Sequence, residues 1–181
     1  MQANVLSKTP IAFAPTATGL EKFFKLEHWR VKVDDREDDR IIWRRGDFVL
    51  IVAITKDAQV VLILEYKQAV EKVLLCIPAG AVKKDEKPEV AALRELRKET
   101  GFTGAEKECR VLGPFYNSPD KSTERHFVVV VTDAIRQGEA TPEECETILG
   151  VQLCPLIGAK DKLEVGLHYM AVAMVTELTG Q

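Results

Sequence analysis

From Leu26 onward the chain reads as strand: Trp29-Arg30-Val31-Lys32-Val33 alternates apolar and charged positions, the acidic cluster Asp34 to Asp39 reads as a turn, and Ile41-Ile42-Trp43 returns. Alternation broken by a polar turn predicts a hairpin. Phe48 to Ile54 and Val60 to Tyr66 are apolar, β-branched runs split by Lys56-Asp57. They predict a second hairpin, both of whose strands lie centrally in a sheet. Between Pro88 and Thr100 the period changes to that of a helix, with Val90, Leu93 and Leu96 recurring. Pro88 suits the first turn, Glu89 the positive end of the dipole, and Gly101 the position past the last turn. Further strands are expected at Arg110 to Phe115, Arg125 to Thr132 and Thr147 to Leu153, and a closing helix at Leu163 to Leu178. The Leu163, Leu167, Met170 and Met174 stripe of that helix reads as core or dimer surface. Residues 1–20, with two prolines and little periodicity, read as a loosely structured arm. No repeat, linker or low-complexity tract divides the chain, so one core is expected.

Composition narrows the function. The 181 residues carry a net charge of −3, 46% are apolar and 29% charged, which is a globular balance. Slight acidity leaves no electrostatic footprint for nucleic acid or an anionic membrane. The longest apolar runs are too short to cross a bilayer, and no basic-then-apolar leader opens the chain. Cys76, Cys109, Cys145 and Cys154 never form Cys-x-x-Cys pairs and read as reduced thiols of a cytoplasmic protein.

The chemistry concentrates between Gly80 and Phe102. Glu95 and Glu99 stand four residues apart on the predicted helix, so their carboxylates project from one face a turn apart. Like charges there repel, and a divalent cation between them turns that cost into a gain. Oxygen ligands with no His or Cys nearby select Mg²⁺, or Mn²⁺, over zinc. Alone, such a pair is more often a solvated helix face. The spacing around it changes the odds: Gly80, five residues, Glu86, seven residues, Arg94-Glu95-Leu96, then Glu99, Gly101 and Phe102. This resembles the signature of the Nudix hydrolases. Where that signature has the first Glu of an adjacent pair, this chain has Lys98. An ammonium there competes with a cation for the carboxylates; the site is expected to keep Glu95 and Glu99 and bind fewer or weaker metals, because a lysine stem can swing its head into solvent.

The resemblance runs from about Val31 onward and includes residues similar to the ADP-ribose pyrophosphatase branch: Pro78-Ala79 before Gly80, Tyr66-Lys67 at a strand end, and Asn117-Ser118-Pro119 followed by Glu124. Lys67 stands where arginine is usual, and Asp120 where glycine follows the proline. A lysine gives a point charge in place of a bidentate fork. The fold so implied is an α/β/α sandwich with a mixed β-sheet, residues 1–46 forming an N-terminal arm and hairpin and 47–181 the catalytic domain. The implied activity is Mg²⁺-dependent cleavage of the diphosphate of ADP-ribose or a related nucleoside diphosphate sugar. The metal ligands would be Glu95, Glu99 and the Ala79 carbonyl. Lys67, Gly80, Pro119 and Glu124 would meet substrate, and Glu86 and Arg94 would brace the loop before the helix. The base would come from the acidic stretch Glu143-Glu144-Cys145-Glu146, with Glu144 first and Glu146 next. The branch also implies a homodimer built through the N-terminal hairpin. The alternatives are a binding module disabled by Lys98, or a hydrolase of GDP-mannose or a dinucleotide. His28, His126 and His168 have no partner at ligand spacing and read as partly buried polar residues. Trp29 and Trp43 read as core, or as a stacking platform for a nucleobase.

Overall fold

The computed structural model describes residues 3–12, 25–143 and 147–180. Contacts divide it into two units, Met1–Asp47 with Pro114–His126, and Phe48–Gly113 with Phe127–Gln181.

The first unit holds an antiparallel sheet of β1 (Ala3–Ile11), β2 (Lys25–Val33) and β3 (Arg36–Arg44), in that order. The predicted hairpin is present, but its turn is only Asp34-Asp35, with Asp34 at φ 52°. The acidic residues after it belong to β3. They meet basic partners on β2 and on β3 itself: from β2, Arg30 reaches Glu37 at 2.9 Å and His28 reaches Asp39 at 2.9 Å, and within β3 Arg40 reaches Asp38 at 2.6 Å. An acidic run that looks like a turn in isolation is tolerated in a strand when its neighbour supplies the countercharge. The expected loose arm is likewise a strand over Ala3–Ile11, paired with β2 from Val33 back to Leu26. Its sequence alternates too weakly to announce this; the ladder comes from the partner. Neither tryptophan is core: Trp43 is 47% exposed, and Trp29 is half-buried, donating to Glu27 at 2.7 Å beneath the Lys8 ammonium. The segment after Tyr116 is sewn to the end of β3, with Trp43 N–H on the Lys121 carbonyl at 2.7 Å and Thr123 N–H on the Trp43 carbonyl at 3.0 Å.

The second unit is built on β4 (Phe48–Ala53) and β5 (Gln59–Lys67). Both are central, as their unbroken apolar runs predict, but they do not share a sheet. One sheet has the order β7-β4-β10-β9, with β7 (Ala79–Ala81), β9 (Cys109–Tyr116) and β10 (Arg125–Val131); the other is β12-β5-β6, with β6 (Lys72–Cys76) and β12 (Ile148–Pro155). A tight turn with Ala58 at φ 53° carries the chain from one sheet to the other, leaving a single bridge at Ile54 and Val60. Two short strands, β8 (Phe102–Thr103) and β11 (Ile135–Arg136), pair separately. The core comprises Val49, Ile51, Val61, Ala92, Leu96, Val129 and Val131 with their neighbours, contributed by β4, β5, β10 and helix α1 (Pro88–Thr100).

The closing helix, α2 (Gly166–Thr179), buries His168, Ala171, Val172, Val175 and Thr176. Of the stripe read as core or dimer surface, Leu163 is buried just before the helix, and Leu167, Met170 and Met174 are half-buried beside its inner face. Small side chains at the 3.6-residue period let a helix lie close on a sheet, and α2 packs on β4. Among the described residues no helix is long and apolar enough to cross a membrane.

Candidate active site

Helix α1 spans the predicted limits. Pro88 lies in its first turn beside Glu89, and Gly101 closes it at φ 74° with its N–H on the Arg97 carbonyl at 2.9 Å. Its inner face differs from the expected one. Val90 is 39% exposed, while Ala91, Ala92, Glu95, Leu96, Glu99 and Thr100 are buried. Both carboxylates of the i, i+4 pair therefore point inward, each residue only 4% exposed. Taking charge out of water is costly unless it is paired or hydrogen-bonded, and the surroundings of α1 supply those partners.

The inner face of α1 rests on β4 and β7. Gly80 of β7 lies under the Glu95 side chain: a Cβ on Gly80 would run into Cγ and Cδ of Glu95 and sit 2.6 Å from its Oε1. Only the missing side chain lets the carboxylate lie flat on the strand. Next to it, Ala79 N–H donates to Glu99 Oε2 at 3.2 Å. The preceding Ile77-Pro78 stretch is held as firmly, with the Pro78 carbonyl accepting from Ile51 N–H at 2.9 Å and Ile77 N–H donating to His168 Nδ1 at 3.2 Å.

Arg94 grips Glu86 in fork geometry, Nε at 2.9 Å and Nη2 at 2.8 Å, and adds the Ala81 carbonyl at 2.9 Å. Glu86 also accepts from Lys83 N–H at 2.8 Å. The Arg94 hydrogen bonds, foremost, hold the Glu86 carboxyl down at about 2 and raise the arginine above its ordinary value. The expected brace is thus formed, and Arg94 does more than brace: its Nη1 lies 2.5 Å from Glu95 Oε1.

Lys98 corrects the sequence expectation. Its head does not swing into solvent; the side chain is 17% exposed, with Nζ 2.5 Å from Glu95 Oε2 and 3.4 Å from Glu143 Oε1. The desolvated Glu95 carboxylate a turn away on the same face is a better partner than water. Main-chain bonds bring the loop that carries Glu143 to the end of α1: Gln137 N–H donates to the Gly101 carbonyl at 2.9 Å and Thr141 N–H to the Lys98 carbonyl at 2.7 Å.

A NUDIX domain pattern matches residues 44–171. The chain belongs to the Nudix family. Among its relatives, the ADP-ribose pyrophosphatase of Bacillus subtilis (strain 168) is 36% identical over 80 residues, covering 44% of this chain and 42% of that protein. The methanol dehydrogenase activator of Bacillus methanolicus is 38% identical over 88 residues, 45% of this chain and 48% of the relative. The matched segments span less than half of these relatives. A crystal structure of an ADP compounds hydrolase superposes with a TM-score of 0.79 at 22% identity, covering 100% of this chain and 96% of that one, which shows the α/β Nudix fold.

Of the residues expected to form the Nudix site, the second unit brings together Ala79, Gly80, Glu86, Arg94, Glu95 and Glu99. Lys67 ends β5 with Nζ 2.6 Å from Glu65. Burial, first, pushes the Cys76 thiol up to about 11, with smaller effects from Lys67, Glu65 and Glu99. Pro119 and Glu124 belong to the first unit, where Pro119 is exposed and Glu124 is buried against Arg45 at 2.9 Å. Glu144 and Glu146 lie outside the described residues. His168 was missed: it has no partner at ligand spacing in sequence, and only the fold brings it to Ile77. Burial, chiefly, with Lys67 adding, lowers it to about 4. Cys76, Cys109 and Cys154 are free thiols.

The donor set fits a hard divalent ion. Two buried carboxylates lie beside the Ala79 main chain, with oxygen donors only. Among the described residues no group of three or more His, Cys, Asp or Glu forms a cage. Such an ion would complete its shell with water or substrate oxygens, as Mg²⁺ commonly does.

Proposed function

We propose that the protein is a Mg²⁺-dependent hydrolase, able to use Mn²⁺, that splits the diphosphate of ADP-ribose or a related nucleoside diphosphate sugar into a nucleoside monophosphate and a sugar phosphate. The observation that carries the reading is the pair of buried carboxylates, Glu95 and Glu99, laid on Gly80 and Ala79 within the Nudix signature. Glu95, Glu99 and the Ala79 carbonyl would hold the ion. Bound there, it neutralises phosphoryl charge and makes an attacking water more acidic. Arg94 and Glu86 keep the β7 loop and the Glu95 carboxylate fixed. Lys67, Gly80, Pro119 and Glu124 are the substrate contacts of this reading, and the base is Glu144, with Glu146 the second choice; Thr141 and Gln137 anchor the chain just before them.

The first 46 residues serve as a dimer element and 47–181 as the catalytic domain, in a cytoplasmic homodimer acting on a small molecule. Exposed Ile41 and Trp43 on β3 and Val5 and Leu6 on β1 support that role. One observation favours a second reading, a nucleotide-sugar binding module without turnover: Lys98 occupies Glu95. Phosphate release from ADP-ribose, GDP-mannose and dinucleotides, coupled to a phosphatase and measured with Mg²⁺ and with chelator, separates the two. Mg²⁺-dependent release supports the hydrolase. Binding of these compounds with no release from any of them overturns it in favour of the module.

A further inference from the structure

Both oxygens of Glu95 are engaged by cations of the chain itself, Arg94 Nη1 at Oε1 and Lys98 Nζ at Oε2, each at 2.5 Å. Glu99 Oε2 accepts from the Ala79 N–H at 3.2 Å. Lys98 Nζ also reaches Glu143 at 3.4 Å, so a single ammonium, only 17% exposed, bridges the helix and the acidic loop. A cation between carboxylates from two segments is the geometry of a metal bridge.

We propose that Lys98 is a resident cation of this cluster: its ammonium holds the position between Glu95 and Glu143 that a divalent ion would otherwise fill, leaving one divalent ion per chain. The inference rests on the metal-dependent reading above and deepens it. The ammonium supplies fixed positive charge that no chelator removes. It also lowers the affinity of the remaining ion by repulsion across the cluster. Four positive charges then face the two carboxylates of α1 when the site is loaded, two of them carried by the ion and one each by Lys98 and Arg94.

The test is Mn²⁺ binding to the full chain, counted by electron paramagnetic resonance and calorimetry, for the wild type, Lys98→Met and Lys98→Glu. Lys98→Met keeps most of the apolar stem and removes the charge, and thermal melts of all three establish that they fold. The expected result is one Mn²⁺ in the wild type, about tenfold tighter binding in Lys98→Met, and a second Mn²⁺ in Lys98→Glu. Equal stoichiometry and affinities within twofold in all three proteins overturn the inference and leave the metal-dependent reading standing. Two ions in the wild type overturn it as well. No ion in the wild type but binding in Lys98→Glu overturns the single retained ion and, with it, the metal-dependent reading. No binding in any of the three overturns both.

Discussion

His168 predicts a pH dependence of stability that no part of the Nudix signature carries. Its Nδ1 accepts the Ile77 N–H at 3.2 Å, and the residue is 7% exposed. To accept, Nδ1 must be unprotonated, and burial with the nearby Lys67 charge secures this by holding the ring at about 4. In the unfolded chain the same ring titrates near 6.5. Between these values the unfolded state binds more protons, so stability is complete above about pH 6.5 and declines as pH falls toward 4. The full loss is about 3 kcal/mol, of which about 2 is gone by pH 5. Urea unfolding followed by circular dichroism at about pH 7.5 and about pH 5 reads this for the wild type, His168→Gln and His168→Leu. Gln removes the titration and offers an acceptor. Leu removes both, and should cost about 1–3 kcal/mol even at pH 7.5 because Ile77 N–H stays buried and unpaired. Acid effects from the carboxylates are common to all three proteins, so the wild type should lose about 2 kcal/mol more than either variant over the interval. If wild type and His168→Gln lose stability in parallel, His168 does not hold Ile77 in the way described.

Glu86→Gln should cost about 2 kcal/mol at neutral pH, an amount trimmed from the full pKa difference for solvent at the edge of the pair. Because the Glu86 carboxyl is lowered to about 2 in the fold, its contribution is complete above about pH 4.5 and vanishes as pH falls through 2, so the variant and wild-type unfolding curves should converge on acidification. Gly80→Ala must push Glu95 off β7 against two ion pairs; about 1–3 kcal/mol of destabilisation and loss of Mn²⁺ binding are expected, measured by thermal melts and calorimetry. Glu99→Gln should abolish diphosphate cleavage in the coupled phosphate assay, by more than about a hundredfold, while leaving the melting temperature within a few degrees, since the amide oxygen can still accept from Ala79 N–H.

Periodicity reveals an element where a segment's own residues dictate it. Helix α1 was legible to the residue because Pro88 and Gly101 mark its ends. Its buried face was not, because the rule that charged residues face outward fails here: Glu95 and Glu99 are buried, while Val90 of the apolar period is 39% exposed. The runs of β4 and β5 announce two buried strands, but nothing in them says that the turn at Ala58 joins two sheets. Strand β1 and the acidic part of β3 depend on what lies beside them, and that information sits elsewhere in the chain. The same holds for His168, whose partner is 91 residues away. Spacing found the box because its members are local; Pro119 and Glu124, outside it, lie in the other unit.

Lys98 shows why a departure from a signature can change the chemistry without disturbing the scaffold. The residue makes two kinds of contact. Its carbonyl, one of the orphan acceptors at a helix C-terminus, takes the Thr141 N–H at 2.7 Å, and the Gly101 carbonyl takes Gln137 N–H. These bonds hold the loop before the acidic stretch and are indifferent to the side chain at 98. The charge at that position reaches Glu95 and Glu143 through Nζ. A change from acid to base there alters the local charge by two units while the loop stays anchored by main-chain bonds. Position 98 can therefore set how many cations the site takes without setting where the loop lies, and the Lys98→Glu and Lys98→Met variants can be compared with the wild type as changes of charge on one backbone.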